Sequence, residues 1–172
     1  MADNRIAQPD KSEIGRQSVL LVDDTPHTRR TLHEIFRGLG VSNISTVETW
    51  EQAREHLKHQ SYSVIFCCLA GPSKHVVDFV KKVRRDSDER TSAIPIVVIQ
   101  SGATALDLAA ARDAGADEFI VPPLTTAAIS AKLKNVVFNK RASVKVDSFV
   151  GPDRRRRRAG WTTAERRGGG AD

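Results

Sequence analysis

The sequence predicts an α/β fold, a doubly wound five-stranded parallel sheet with helices between its strands. Two observations carry that reading. Short, continuous apolar runs rich in β-branched residues recur along the middle of the chain, and the intervals between them hold amphipathic helical stripes. Runs of this kind suit strands buried on both faces, and strand–helix alternation with short connections favours right-handed crossovers. A third observation bounds the domain. Residues 1–139 carry seventeen basic and seventeen acidic side chains, whereas residues 140–172 carry ten and four. The chain therefore divides into a flexible extension over 1–17, a neutral globular body over 18–139 and a basic, disordered tail over 140–172. Met1 to Arg16 and Gly151 to Asp172 hold too little apolar surface to offset their chain entropy.

The elements follow in order. Val19-Leu20-Leu21-Val22 is the first strand, and Thr31, Leu32, Ile35, Phe36 and Leu39 form the stripe of a helix stopped by Gly40. Val41 to Val47 alternates apolar and polar residues, which suits an outer strand. Trp50, Ala53 and Leu57 mark the next helix, and Val64-Ile65-Phe66-Cys67-Cys68 the third strand. Val76, Val77, Val80 and Val83 line a helix whose Lys81, Lys82, Arg84 and Arg85 are expected in water near its C-terminal end, where cations suit the helix dipole. Ile96-Val97-Val98-Ile99 is the fourth strand. Leu106, Ala109, Ala110 and Ala114 form a stripe ended by Gly115. Phe119-Ile120-Val121 is the fifth strand, and Ile129, Leu133, Val136 and Val137 mark the last helix.

Several function classes drop out. Cys67 and Cys68 are adjacent in an apolar run, so they offer neither a disulfide framework nor metal-ligand spacing, and they fit a reducing cytosol. His27, His33, His56, His59 and His75 show no metal-like spacing. No signal-peptide core opens the chain, and no stretch approaches the roughly 20 apolar residues of a membrane span. The expectation is a cytoplasmic protein.

In a parallel sheet of this type the functional crevice lies at the carboxyl ends of the strands. The residues expected there are Asp23-Asp24, Cys68 to Pro72, Gln100-Ser101 and Pro122-Pro123. Val-Leu-Leu-Val-Asp23-Asp24 with Pro26 and Arg29, then Ile94-Pro95 with its strand, then Ala114-Gly115-Ala116-Asp117-Glu118-Phe119-Ile120-Val121, resemble the receiver domain of CheY-like response regulators. The resemblance covers about residues 18–138 and implies a flavodoxin-like sheet. It also implies a site in which an acid pair and an aspartate hold Mg²⁺, that aspartate accepts a phosphoryl group, and a hydroxyl and a lysine read the product.

Measured against that implied site, Asp23 and Asp24 match the acid pair. Cys68, four residues before Pro72, stands at the acceptor position, and residues 56–77 contain no Asp or Glu to replace it. Gln100 stands at the hydroxyl position with Ser101 beside it, Pro122 at the lysine position, and the next lysine, Lys132, falls inside the last helix. A thiol is not a carboxylate surrogate, and Mg²⁺ wants oxygen ligands. The expectation is a protein without aspartyl phosphorylation, catalysis or Mg²⁺. Asp23 and Asp24 are read as vestigial, solvated loop carboxylates, and Cys68 as a small buried hydrophobe. Phe119 matches the family's switch aromatic and is explained equally by a place in the core.

The tail carries the other pattern. Asp153-Arg154-Arg155 opens a run that continues through Arg156, Arg157 and Arg158. Glu165-Arg166-Arg167 repeats the carboxylate–arginine–arginine order twelve residues on, with Trp161 between them. An arginine fork matches phosphate oxygens and the O6/N7 edge of guanine, a carboxylate accepts from guanine N1 and N2, and a tryptophan offers a stacking face. The stretch Ser148-Phe149-Val150-Gly151-Pro152-Asp153 with its arginines resembles the tail of the Cle proteins, CheY-like effectors of c-di-GMP. That resemblance implies capture of c-di-GMP by Ser148, Asp153, Arg154 to Arg158, Trp161, Glu165, Arg166 and Arg167. It further implies regulated docking to a protein partner such as the flagellar motor switch or surface-attachment machinery, with recruitment to the flagellated pole. Two other readings stay open: a nucleic-acid-binding tail, and an adaptor in which the body alone binds a partner.

Overall fold

The computed structural model describes residues 11–139, 143–146 and 149–152. Its elements are α1 (Lys11–Gly15), β1 (Ser18–Asp23), α2 (Pro26–Gly38), β2 (Asn43–Val47), α3 (Trp50–His59), β3 (Val64–Cys68) and α4 (Ser73–Arg84). They continue with α5 (Glu89–Ser92), β4 (Ile96–Ile99), α6 (Ala105–Ala114), β5 (Glu118–Ile120), α7 (Thr126–Phe138), β6 (Ser143–Val146) and β7 (Phe149–Pro152). Strands β1 to β5 form one parallel sheet in the order β2-β1-β3-β4-β5, the predicted architecture, with the alternating strand β2 on an edge as expected.

Alternation along the strands divides the core in two. Leu20 and Val22 of β1, Ile65 and Cys67 of β3 and Ile96 and Val98 of β4 face α3, α4 and α6, meeting Ala53, Leu57, Val76, Val80, Val83 and Ala111. Val19 and Leu21, Val64 and Phe66, and Val97 and Ile99 face the other way, onto Leu32 and Phe36 of α2 and Ile129, Leu133 and Val136 of α7. Phe36 and Phe66 meet edge to face with ring centroids 4.9 Å apart. Fully burying side chains of this size contributes about 1.5–3 kcal/mol each. Three helix starts are capped by a threonine hydroxyl, whereas Thr25 before α2 makes no such bond and donates to Asp24 instead. Thr49, Thr104 and Thr125 each accept from a backbone N–H of the first turn, and Thr104 with Asp107 completes a reciprocal capping box.

Five expectations are corrected. The N-terminal extension is not wholly flexible: α1 forms within it, and Ile14 is buried as part of the core cluster that includes Leu32, Phe36 and Leu39. The tail segment that starts at residue 140 contains the antiparallel hairpin β6–β7, in which Ser143 pairs with Pro152 and Val146 with Phe149. Its Gly151 and Pro152 therefore belong to a strand. Arg84 does not face water; it is buried. The predicted α6 stripe is rotated, because Ala111 and Ala114 are buried while Leu106 is 82% exposed. Val121 lies beyond β5 and is exposed. Apolar residue type alone could not set the rotation of an alanine-rich helix, since alanines surround it on every side.

Candidate functional site

Parallel register brings the expected residues to one end of the sheet. Asp23, the last residue of β1, pairs in register with Cys68, the last of β3. Gln100 follows β4, and Pro122, in a cis peptide bond with Pro123, follows β5. The sequence-predicted crevice residues thus stand together at the carboxyl edge.

Asp23 is fully buried, which corrects the solvated reading. Its Oδ1 accepts from the Thr25 N–H at 2.7 Å, while Oδ2 is buried with no hydrogen-bond partner. Burial pushes its carboxyl above the ordinary value. The Thr25 N–H lowers it in part, Asp24 adds to the rise, and Arg29 counters. Asp24 is exposed but not idle: its Oδ1 accepts from the Ala70 N–H at 2.8 Å and from the Thr25 hydroxyl at 3.3 Å. That first bond ties the β1–α2 loop to the loop after β3.

The loop after β3 turns at Gly71, where φ is +91° and a Cβ would lie 3.3 Å from His75 Nδ1. Both facts favour glycine there. Cys68 is half-buried, packed at the edge of the core, and burial followed by the neighbouring Asp23 and Asp24 pushes its thiol up to about 12. Cys67 is fully buried, and burial, followed by the neighbouring Cys68, Asp24 and Asp23, pushes its thiol well up. Neither sulfur is a thiolate at neutral pH, so neither is a reactive nucleophile.

The donor set does not fit Mg²⁺. Asp23 offers one free oxygen, Asp24 has an oxygen engaged by Ala70, and the third position presents a protonated sulfur where a hard cation needs oxygen. Lys132 does sit in the last helix, where its Nζ pairs with Glu118 Oε2 at 2.6 Å. It is therefore held at β5 by that partner.

Gln100 has a role the sequence did not reveal. Its side-chain amide donates to the Ser73 hydroxyl at 2.6 Å. The hydroxyl of Ser73, the first residue of α4, together with the bonds from Thr104, holds the Asp107 carboxyl of α6 below its usual range. A chain of contacts thus links β4, α4 and α6. Ser73 carried no sequence signal because a serine opening a helix is ordinary capping chemistry.

Phe119 is half-buried against the core, as a core aromatic would be. His59 pairs with Glu55 and His56 with the Tyr62 hydroxyl, so these histidines serve helix α3 and its neighbour. Among the described residues no cluster of three His, Cys, Asp or Glu suits a metal ion, and no helix is long and apolar enough to cross a membrane. The tail residues Ser148, Asp153, Arg154 to Arg158, Trp161, Glu165, Arg166 and Arg167 lie outside the described residues.

Comparison with known proteins agrees with the geometry. A family model for the response regulator receiver domain matches residues 19–134. The chain is 31% identical over 120 residues to the chemotaxis protein CheY1 of Helicobacter pylori, a match covering 69% of this chain and 95% of that one. To the chemotaxis protein CheY-3 of Vibrio cholerae it is 27% identical over 118 residues, covering 69% and 89%. Among solved structures it is similar to the receiver domain of a sensor histidine kinase from Pseudomonas aeruginosa, determined with a magnesium ion in its active-site cleft. The TM-score is 0.62 at 22% identity, covering 71% of this chain and 98% of that one. The chemotaxis response regulator CheY4 of Vibrio cholerae gives a TM-score of 0.60 at 22% identity, covering 70% and 98%. Receiver domains are signalling modules that work through protein partners. By sheet order, by the placement of its crevice and by these matches, the chain belongs to the response regulator receiver family.

Proposed function

We propose that this receiver-type protein is a non-catalytic effector whose arginine-rich C-terminal segment captures c-di-GMP and thereby regulates docking of the body to a protein partner. The observation that carries the reading is Cys68. It occupies the register position opposite Asp23 with its thiol pushed up to about 12, so the crevice lacks the carboxylate that aspartyl phosphorylation and Mg²⁺ binding require. A receiver without that input needs another. The paired Asp153-Arg154-Arg155 and Glu165-Arg166-Arg167 units supply guanine-reading edges and phosphate-pairing cations. Trp161 lies between them as a stacking face. The segment's surplus of six positive charges exceeds the four phosphodiester charges of a c-di-GMP dimer. The resemblance to the Cle proteins suggests a partner such as the flagellar motor switch or surface-attachment machinery, and the curated relatives are chemotaxis proteins.

Isothermal titration of the full chain with c-di-GMP tests the reading. Saturable heat at micromolar protein, with much weaker responses to GTP and c-di-AMP, is expected. Asp153→Ala separates edge recognition from simple charge attraction. It removes a negative charge and so would tighten a purely electrostatic tail, whereas guanine recognition predicts weakening by roughly tenfold, the loss of about one good hydrogen-bonded contact. Sequence-blind DNA or RNA binding that collapses steeply with salt would instead point to the nucleic-acid reading.

A further inference from the structure

A groove of about 570 Å³ between α3 and α4 shares no residue with the carboxyl-edge crevice. From α3 it is lined by Trp50 and Arg54, and from α4 by Asp78, Lys81 and Lys82. Arg85 to Ser87, just past α4, complete the lining. Trp50 is half-buried and packs edge to face on Phe79 of α4, with ring centroids 5.7 Å apart. The core thus holds one part of the indole and leaves the rest at the groove.

The charges beside that ring are unbalanced. Asp86 is engaged: Oδ2 faces Arg54 Nε at 3.5 Å, and Oδ1 accepts from the Asp88 N–H at 3.0 Å. Lys81, Lys82 and Arg85 are exposed, and none has an ion-pair partner among the described residues. Asp78 is the carboxylate left in the lining to face them. Three cations therefore confront one carboxylate, although residues 1–139 as a whole are neutral. Cations near a helix C-terminus suit the dipole. That role asks nothing of α3, and it explains neither Arg54 nor a tryptophan in the same groove. Arg84, beside Arg85, is buried and bonded to Ser92, Ile94, Gly115 and Asp117. The rotation of α4 is fixed by those bonds, and a surface preorganised in this way loses less entropy on binding.

We infer that this groove docks an acidic segment of a protein partner. Carboxylates of the segment pair with Lys81, Lys82 and Arg85, and an apolar side chain lies on Trp50. Three observations select that occupant. Small-molecule sites are mostly apolar, whereas this lining is one aromatic among charged side chains and a serine. A nucleic acid duplex carries a charge every ~1.7 Å and would press phosphates onto Asp78, where a peptide can place a donor. Tryptophan and arginine are also the side chains in which protein interfaces concentrate their binding energy. The inference names a surface for the docking half of the proposed function and does not depend on c-di-GMP capture.

The test titrates the full chain, labelled with nitrogen-15, with a short blocked peptide of glutamates around one phenylalanine. Saturable shifts are expected at the Trp50 indole and at amides 78–87, separately from any in the arginine segment. Lys82→Ser with Arg85→Ser changes two exposed side chains and should weaken that response on the order of tenfold. Replacing the probe's phenylalanine by serine should weaken it severalfold. A merely structural role for the cations would move the urea midpoint of the double variant and leave its peptide response unchanged. That result overturns the inference, as do shifts confined to the arginine segment. If the double variant unfolds, the parent chain with the two peptides decides: an equal response to both means a charge patch without an anchor on Trp50 and overturns the inference. A mixed-sequence DNA duplex that perturbs the groove more strongly than the peptide assigns it to nucleic acid instead. Absence of c-di-GMP titration heat would alter none of these outcomes.

Discussion

At the amino end of the sheet Arg84 is 6% exposed, and its guanidinium donates to the carbonyls of Gly115, Ser92 and Ile94 and to Asp117 Oδ2. At the carboxyl end Asp23 is more deeply buried, yet one of its oxygens has no partner. A buried charge surrounded by acceptors acts as a clasp. This one joins α4, α5, β4 and β5, and Asp117 completes it by accepting from the Ile96 N–H at 2.8 Å. A buried charge left half-satisfied stabilises nothing by itself, and such groups persist where a site once used or still uses them. The difference separates the scaffold end of this receiver from its signalling end.

The sharpest way to break the comparison is to remove the clasp. Arg84→Ala leaves Asp117 without its cation and three carbonyls without a donor, and it is expected to cost about 3 kcal/mol, read as a lower urea midpoint. An unchanged midpoint would show that the four bonds carry no net stability. Asp23→Asn probes the opposite end and should move stability the opposite way. Because the folded carboxyl is raised above 3.8, its contribution is fully present below that value and is lost as pH rises through the folded value. The variant keeps an acceptor for Thr25 but carries no charge. It should therefore gain about 1 kcal/mol over the parent near neutral pH. Near pH 3 it should gain almost nothing. A parallel pair of stability–pH curves would refute the assignment.

Smaller effects sharpen the picture. Asp24→Ala cuts the tie to Ala70 and should cost about 1 kcal/mol or less, with the Ala70 amide exchanging faster while core amides do not change. Cys68→Ala should shift stability by less still, about 0.5–1 kcal/mol for a half-buried thiol. With its thiol near 12, the parent Cys68 should react with iodoacetamide at pH 8 on the order of a thousandfold more slowly than an ordinary cysteine. Rapid alkylation would mean that the crevice holds a thiolate and that its chemistry has been misjudged.

Much of the body could be read directly. Val19 to Val22, Val64 to Cys68 and Ile96 to Ile99 are continuous apolar runs, and only a sheet covered on both faces makes sense of them. Asp23, Cys68, Gln100 and Pro122 followed, since strand ends in a parallel sheet share an edge. Other features gave no such signal. Ile14 is a lone apolar residue in a polar stretch, and only its contact with α2 and the sheet makes it core. Arg84 sits among Lys81, Lys82 and Arg85, and composition cannot say which of four neighbouring cations turns inward. Ser143 to Val146 and Phe149 to Pro152 are too short and mixed to announce a hairpin.

By itself the sequence determined the five strands of the sheet and the helices between them, that the sheet is parallel, and that a cysteine, Cys68, ends the third strand. Those are properties of periodicity and residue identity, both local. Tertiary structure alone decided that Asp23 is buried with a free oxygen, that Asp24 holds the Ala70 loop, that Arg84 is a clasp and that β7 rests beside α6. Each of these depends on which surfaces meet after the chain has closed on itself, and a residue's burial and partners are set by neighbours distant in sequence.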